Sequence, residues 1–200
     1  MKKAISLLGA LALAAPITVT SAPAQAETFL QKFFRAGQPA SPQSYRASDK
    51  SPVRRKEVAF SGYDVGTIVI DTSDRRLYHV TKPGRALAYG VGVGRDGFTW
   101  TGTNKISRKQ EWPGWTPPAR MRAREAAKGR ILPEYMPGGP DNPLGARAMY
   151  LGSTLFRIHG TNQPWTIGQA MSSGCIRMAN DDVKHLYDRV EIGTKVVVRH

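Results

Sequence analysis

The sequence contains a single cysteine, Cys175, among 200 residues. One thiol excludes an intramolecular disulfide and any multi-cysteine zinc site. Aromatic residues make up only 8%, and acids number 15 against 29 Lys and Arg, leaving a formal net charge of +14. A shortage of acid implies an anionic partner without identifying it; nucleic acid, an acidic membrane face and a carboxylate-rich polymer all fit. No apolar run reaches the ~20 residues a membrane helix requires. The histidines, His79, His159, His185 and His200, are scattered without ligand spacing, so neither a metal nor a nucleotide cofactor is expected. No internal repeat is visible. What the chain has is 20 glycines, 14 prolines and a 40% hydrophobic fraction, which suits one loop-rich globular domain.

The first 26 residues have the three parts of a secretory signal peptide: Lys2 and Lys3, an apolar run over residues 4–15, and the cleavage pattern Ala24-Gln25-Ala26. Cleavage after Ala26 places the mature protein in the periplasm or outside a bacterial cell, with no stable membrane span remaining. Export also argues against nucleic acid as the partner. Residues 27–60 are rich in Pro, Ser, Ala and basic side chains and lack an apolar period, so they read as a flexible basic linker. Residues 61–200 form the folded domain.

That domain opens with strands. Residues 66–71 are β-branched, residues 76–80 alternate, and the turn Thr72-Ser73-Asp74 between them makes a hairpin. Residues 85–93 continue as a third strand, in which Gly90, Gly92 and Gly94 imply a bulge or a close backbone approach. Their run GVGVGRDG looks like a phosphate loop, but no helix start and no Lys-Ser/Thr pair follows it. Residues 99–145 are irregular, with Trp100, Trp112, Trp115 and many prolines, and read as a long insertion. A helix is expected there only over residues 119–128, where Arg120, Arg122, Arg124 and Lys128 form either a solvated face or a patch for an anionic polymer. Residues 147–151 and 154–158 read as strands, the second presenting His159 at its end. Asn180 is a good N-cap for a helix over residues 183–190, and residues 195–199 are a last strand. The expected fold is mostly β with one or two short α-helices and a long insertion loop before the motif at residues 158–180.

That motif, IHGTNQPWTIGQAMSSGCIRMAN, places His159 and Cys175 in glycine-flanked turns. A free cysteine is only a few per cent thiolate at neutral pH, so a nucleophilic one needs a base or a cation beside it. His159 can serve as that base in a thiolate–imidazolium pair. The Gly160 carbonyl can hold its tautomer, and amides around Gly174 and Cys175 can face a developing oxyanion. From these residues alone, a buried structural cysteine with an unrelated histidine remains open.

The segments His159-Gly160-Thr161 and Ser172-Ser173-Gly174-Cys175-Ile176-Arg177-Met178, followed by Asn180 and a helix, resemble the active-site signature of the L,D-transpeptidases (the YkuD-type catalytic domain). The resemblance covers about residues 66–199 and implies a YkuD-like β-sandwich. It further implies an enzyme of peptidoglycan stem peptides. Cys175 would attack the carbonyl of the L-centre residue, D-alanine would leave, and an amine would resolve the thioester to a 3→3 cross-link. An outer-membrane protein is an alternative acyl acceptor. In this picture His159 is the general acid/base and the Gly160 carbonyl orients it. The amides of Ser173, Gly174 and Cys175 form the oxyanion hole, while Arg177, Asn162 and Ser172 bind substrate. A carboxypeptidase or endopeptidase on the same fold, or a non-catalytic wall-binding module, is the alternative. Ser173 stands where many relatives carry His.

Overall fold

The computed structural model describes residues 49–200, so the expected signal peptide and the linker up to residue 48 lie outside the described residues. The elements in chain order are β1 (Lys56–Ala59), β2 (Ile68–Asp71), β3 (Arg76–Lys82), β4 (Arg85–Gly90), β5 (Val93–Gly94) and β6 (Gly102–Glu111). Helix α1 (Ala119–Ala126), β7 (Arg147–Leu151), β8 (Arg157–His159) and a single 3₁₀ turn (Pro164–Thr166) follow. The chain ends with β9 (Ala170–Ser172), β10 (Ile176–Arg177), α2 (Asn180–Tyr187) and β11 (Lys195–Arg199).

Nine strands form one sheet in the order β1-β4-β3-β2-β11-β6-β7-β8-β10, and β5 pairs with β9 beside it. Strand β2, Ile-Val-Ile-Asp, is buried on both faces, as its unbroken β-branched run requires. It lies between antiparallel β3 and parallel β11. The hairpin turn is held by Asp71, whose carboxylate accepts from the Ser73 hydroxyl at 2.7 Å and the Asp74 amide at 3.0 Å.

Strand β6 joins the two halves. It pairs with β11 over Gly102–Lys105 and with β7 from Ile106 onward, with a bulge between Ile106 and Arg108. A bulge bends and twists its strand, which lets β6 pass from one layer of the sandwich to the other. Ile68, Ile70 and Leu77 of the first layer pack in one core with Met149, Leu151 and Ile158 of the second, and Val183 and Leu186 of α2 join them. The ends of the layers meet where Gly92 bridges Arg177.

The mostly-β sandwich with two short helices agrees with the sequence reading, and several details differ, among them the strand expected over residues 154–158, which starts only at Arg157. Strand β6 lies inside the tract expected to be irregular. The third strand stops at Gly90, where a Cβ would strike Val53, so the close approach expected of these glycines is real. Helix α2 starts at Asn180 with Ala179 at the cap position, and no side chain caps it. Within the expected flexible linker, residues 49–55 are hydrogen-bonded to α2 through Asp49 and Arg55, and β1 pairs with β4.

Candidate active site

Parallel pairing of β8 with β10 sets Ile158 beside Ile176 and His159 beside Arg177. Both strands are short and end at one wall of a cavity of about 740 Å³. His159, Cys175 and Arg177 all line it. The strand register thus brings together residues far apart in the chain.

His159 is buried, and its Nδ1–H donates to the Gly160 carbonyl at 2.6 Å. A carbonyl can only accept, so the proton is on Nδ1 and Nε2 is left as a base. Burial is the main cause that pushes the imidazole down to about 3, reinforced by the charges of Arg177 and Arg157 and opposed by the Gly160 hydrogen bond. Burial pushes the Cys175 thiol up, against the pull of the Arg157 guanidinium, the Arg157 backbone amide and the Arg177 charge. In the free protein burial thus works against the charged form of both groups, and so against a preformed thiolate–imidazolium pair. The thiol itself donates to the Leu155 carbonyl at 3.8 Å.

The turn that carries Cys175 is built by its neighbours. The Ser172 hydroxyl donates to the Cys175 carbonyl at 2.6 Å, and the Gly174 amide donates to the same hydroxyl oxygen at 3.1 Å. Trp100 Nε1 donates to the Gly174 carbonyl at 3.0 Å, which turns the amide of the same peptide, that of Cys175, the opposite way. Gly174 has φ +104° and covers the ring of Phe156, where a Cβ would approach to 2.6 Å. Phe156 in turn stacks on Trp100 with ring centroids 4.7 Å apart. Among the described residues, the amides of Ser173 and Cys175 have no protein acceptor, whereas that of Gly174 is engaged by Ser172.

Arg177 stands in the cavity wall with no carboxylate partner among the described residues, since Asp182 pairs with Arg55 at 2.7 Å. Arg95, Arg124, Arg130 and Arg157 line the same cavity, whose one acid, Glu125, is held by Arg124, Lys128 and Arg130. Asn162 is not part of the lining; its amide donates to the Asp141 carbonyl at 2.8 Å. Ser172 touches the cavity, but both its hydrogen bonds serve the turn. Trp100, Phe156 and Arg157 were not singled out in the sequence as site residues, because nothing in their local pattern separates them from ordinary strand and loop residues. Among the described residues no three His, Cys, Asp or Glu side chains gather to hold a metal ion.

The family model of the L,D-transpeptidase catalytic domain (YkuD) matches residues 66–198. The chain belongs to this L,D-transpeptidase family. It is 41% identical over 136 residues to a probable L,D-transpeptidase of Escherichia coli, ErfK/SrfK, covering 66% of this chain and 43% of that one. The chain therefore spans less than half the length of that curated relative. A solved structure from Brucella melitensis, described as a probable carnitine operon oxidoreductase, is 48% identical with a TM-score of 0.50, covering 80% of this chain and 100% of that one. The L,D-transpeptidase of Enterococcus faecium, 19% identical with a TM-score of 0.50 over 68% of this chain and 50% of that one, shares the fold. The L,D-transpeptidase family places Cys175, His159 and Arg177 inside the matched span.

Proposed function

We propose that the protein is a cysteine-dependent L,D-transpeptidase of the bacterial cell wall, exported by its N-terminal signal. It would act on peptidoglycan stem peptides and form 3→3 cross-links, or attach an outer-membrane protein to a stem. The observation that carries this reading is the convergence of Cys175, His159 and an unpaired Arg177 on one cationic cavity.

In the proposed reaction Cys175 Sγ attacks the carbonyl of the L-centre residue while its proton passes to His159 Nε2. The amides of Ser173 and Cys175 face the resulting oxyanion, with Gly174 fixed between them by Ser172. The tetrahedral adduct collapses to a thioester, and His159 returns the proton to the departing D-alanine amine. An acceptor amine then displaces the thiol, and the Cys175 thiol is regenerated.

The arginines give this scheme an electrostatic trigger. Burial, and after it the charges of Arg177 and Arg157, hold His159 down when no substrate is bound. A stem carboxylate on Arg177 would cancel that charge and raise the imidazole towards a pKa useful to a general base. The oxidoreductase description of the Brucella relative receives no support from the glycine run of residues 90–97. No helix starts directly after that run, and Gly90, Gly92 and Gly94 pack against Val53, Thr166 and Phe98.

The reading is tested by incubating the protein with disaccharide-tetrapeptide and following products by mass spectrometry, with Cys175→Ala as control. A cross-linked dimer with release of D-alanine supports transpeptidation. Tripeptide alone would replace it with a carboxypeptidase, and no turnover would overturn the catalytic reading.

A further inference from the structure

Asn180 opens α2, yet its side chain turns inward rather than capping the helix. It is buried at 6% exposure. Its Oδ1 accepts from the Ala146 amide at 3.0 Å and the Thr161 amide at 3.3 Å. The second of these belongs to the Gly160–Thr161 peptide, whose carbonyl holds His159 Nδ1 at 2.6 Å. In a planar trans peptide the N–H and C=O point in opposite directions, so fixing one fixes the other. We propose that Asn180 is a positioning residue for His159: by holding the Thr161 amide it sets the peptide plane whose Gly160 carbonyl selects the tautomer with a free Nε2.

Three further observations fit this role. Gly145, at φ +62°, and Gly160 both press on Asn180, and a Cβ on either would strike its Oδ1. The glycine after His159 is thus needed for the amide side chain's approach. On the other side, Asn180 Nδ2 donates to the Asp49 carboxylate at 3.0 Å. A carboxylate can only accept, so Asp49 fixes which end of the Asn180 amide faces the two backbone N–H groups. Asp49 is itself held by Lys184 Nζ at 3.3 Å and by the Asp181 amide, which donates to its backbone carbonyl at 3.1 Å. The stretch in front of the matched domain therefore reaches the catalytic histidine through one side chain.

The inference rests on the reading of His159 as the base, and its test has an arm that does not need turnover. The tautomer of His159 is read at neutral pH by ¹⁵N NMR of the full chain, and kcat and KM are measured on disaccharide-tetrapeptide. The native protein carries the proton on Nδ1. Asn180→Ala gives a mixture of tautomers and a kcat lower by about 10-fold or more, short of the ~10⁴-fold loss when a triad's orienting group itself is altered. KM changes little, because Asn180 does not line the cavity.

The exchanged pair Asn180→Asp with Asp49→Asn keeps an acceptor toward both amides and a donor at position 49. It recovers the Nδ1 tautomer and most of the lost kcat. A native tautomer and native kcat in Asn180→Ala would overturn the proposal, as would an exchanged pair no better than that variant. If Asn180→Ala does not fold, the exchanged pair decides by itself: Nδ1 protonation retained supports the proposal and Nδ1 protonation lost overturns it. A native protein without turnover would sink the enzyme reading and leave the tautomer arm standing.

Discussion

At the proposed reactive centre of the free protein, burial disfavours the charged form of both the His159 imidazole and the Cys175 thiol. Its cysteine should behave unlike that of a preformed ion pair. Alkylation of Cys175 by iodoacetamide is expected to be slow at pH 6–7 and to rise as the pH passes through the raised thiol pKa, with no plateau at low pH. A rate already maximal near pH 6 would show that the ion pair is preformed. Arg177 offers the second test at this scale. Arg177→Gln removes the fork and charge proposed for a stem carboxylate, and a charge-assisted hydrogen bond is worth roughly 1.5–3 kcal/mol. The expected result is a kcat/KM for tetrapeptide lower by about 10- to 100-fold, following from that range. An unchanged kcat/KM would take Arg177 out of substrate binding. Cys175 and His159 were legible in the sequence because each is a rare residue type in a long motif, and Arg177 because it lies within that motif. Arg157 was not, since an arginine on a short strand has no local signature of a site.

At the scale of elements, the turn that carries Cys175 depends on a tryptophan some seventy positions earlier in the chain. Trp100 both stacks on Phe156 and donates to Gly174. Trp100→Phe keeps a ring for the stack and loses the donor. Its melting temperature is expected to stay near native while kcat for acylation falls, because the Cys175 amide is no longer held in place. Trp100→Ala loses both and should cost about 2–4 kcal/mol of stability in denaturant unfolding. Equal activity in Trp100→Phe and the native protein would refute an orienting role for the indole N–H. Strand β6 shows why part of the fold was hidden. Its Gly-Thr-Asn-Lys-Ile-Ser-Arg-Lys-Gln-Glu buries only Ile106, so it has no apolar alternation to read. It is a strand because β11 and β7 supply backbone partners on both edges, a tertiary cause invisible to local pattern. The strands β2, β3, β7 and β11 were legible because their own side chains form the core. Asn180 misled for a related reason: its cap propensity is real, but the neighbouring glycines give its amide a better use.

Across the described residues, His79, His159 and His185 are each pushed towards the neutral form. His185 accompanies Tyr89 at 2.9 Å and is pushed down to about 4, first by burial and then by Arg55 and Arg189. His79 is lowered by burial and by Arg189, and its Nδ1 has no hydrogen-bond partner among the described residues. With His159 also lowered, the unfolded chain binds protons more readily than the folded one through this range. The stability these histidines contribute is therefore fully present above the ordinary histidine value of 6.5 and is lost as pH falls from there towards 4. Thermal melting should be nearly constant from pH 8 to 7 and decline between pH 6 and 4. His185→Gln keeps a polar partner for Tyr89 and should flatten that decline by about one proton's contribution. An unaltered slope would place the proton uptake elsewhere.

The central claim is that Cys175 itself carries the stem peptide. The most direct measurement is intact-protein mass spectrometry after brief mixing with disaccharide-tetrapeptide and acid quenching. The account predicts an adduct equal in mass to the substrate minus D-alanine, mapped to Cys175 and released by hydroxylamine as a thioester should be. An active protein with no such adduct, or one whose adduct persists in Cys175→Ala, would contradict it.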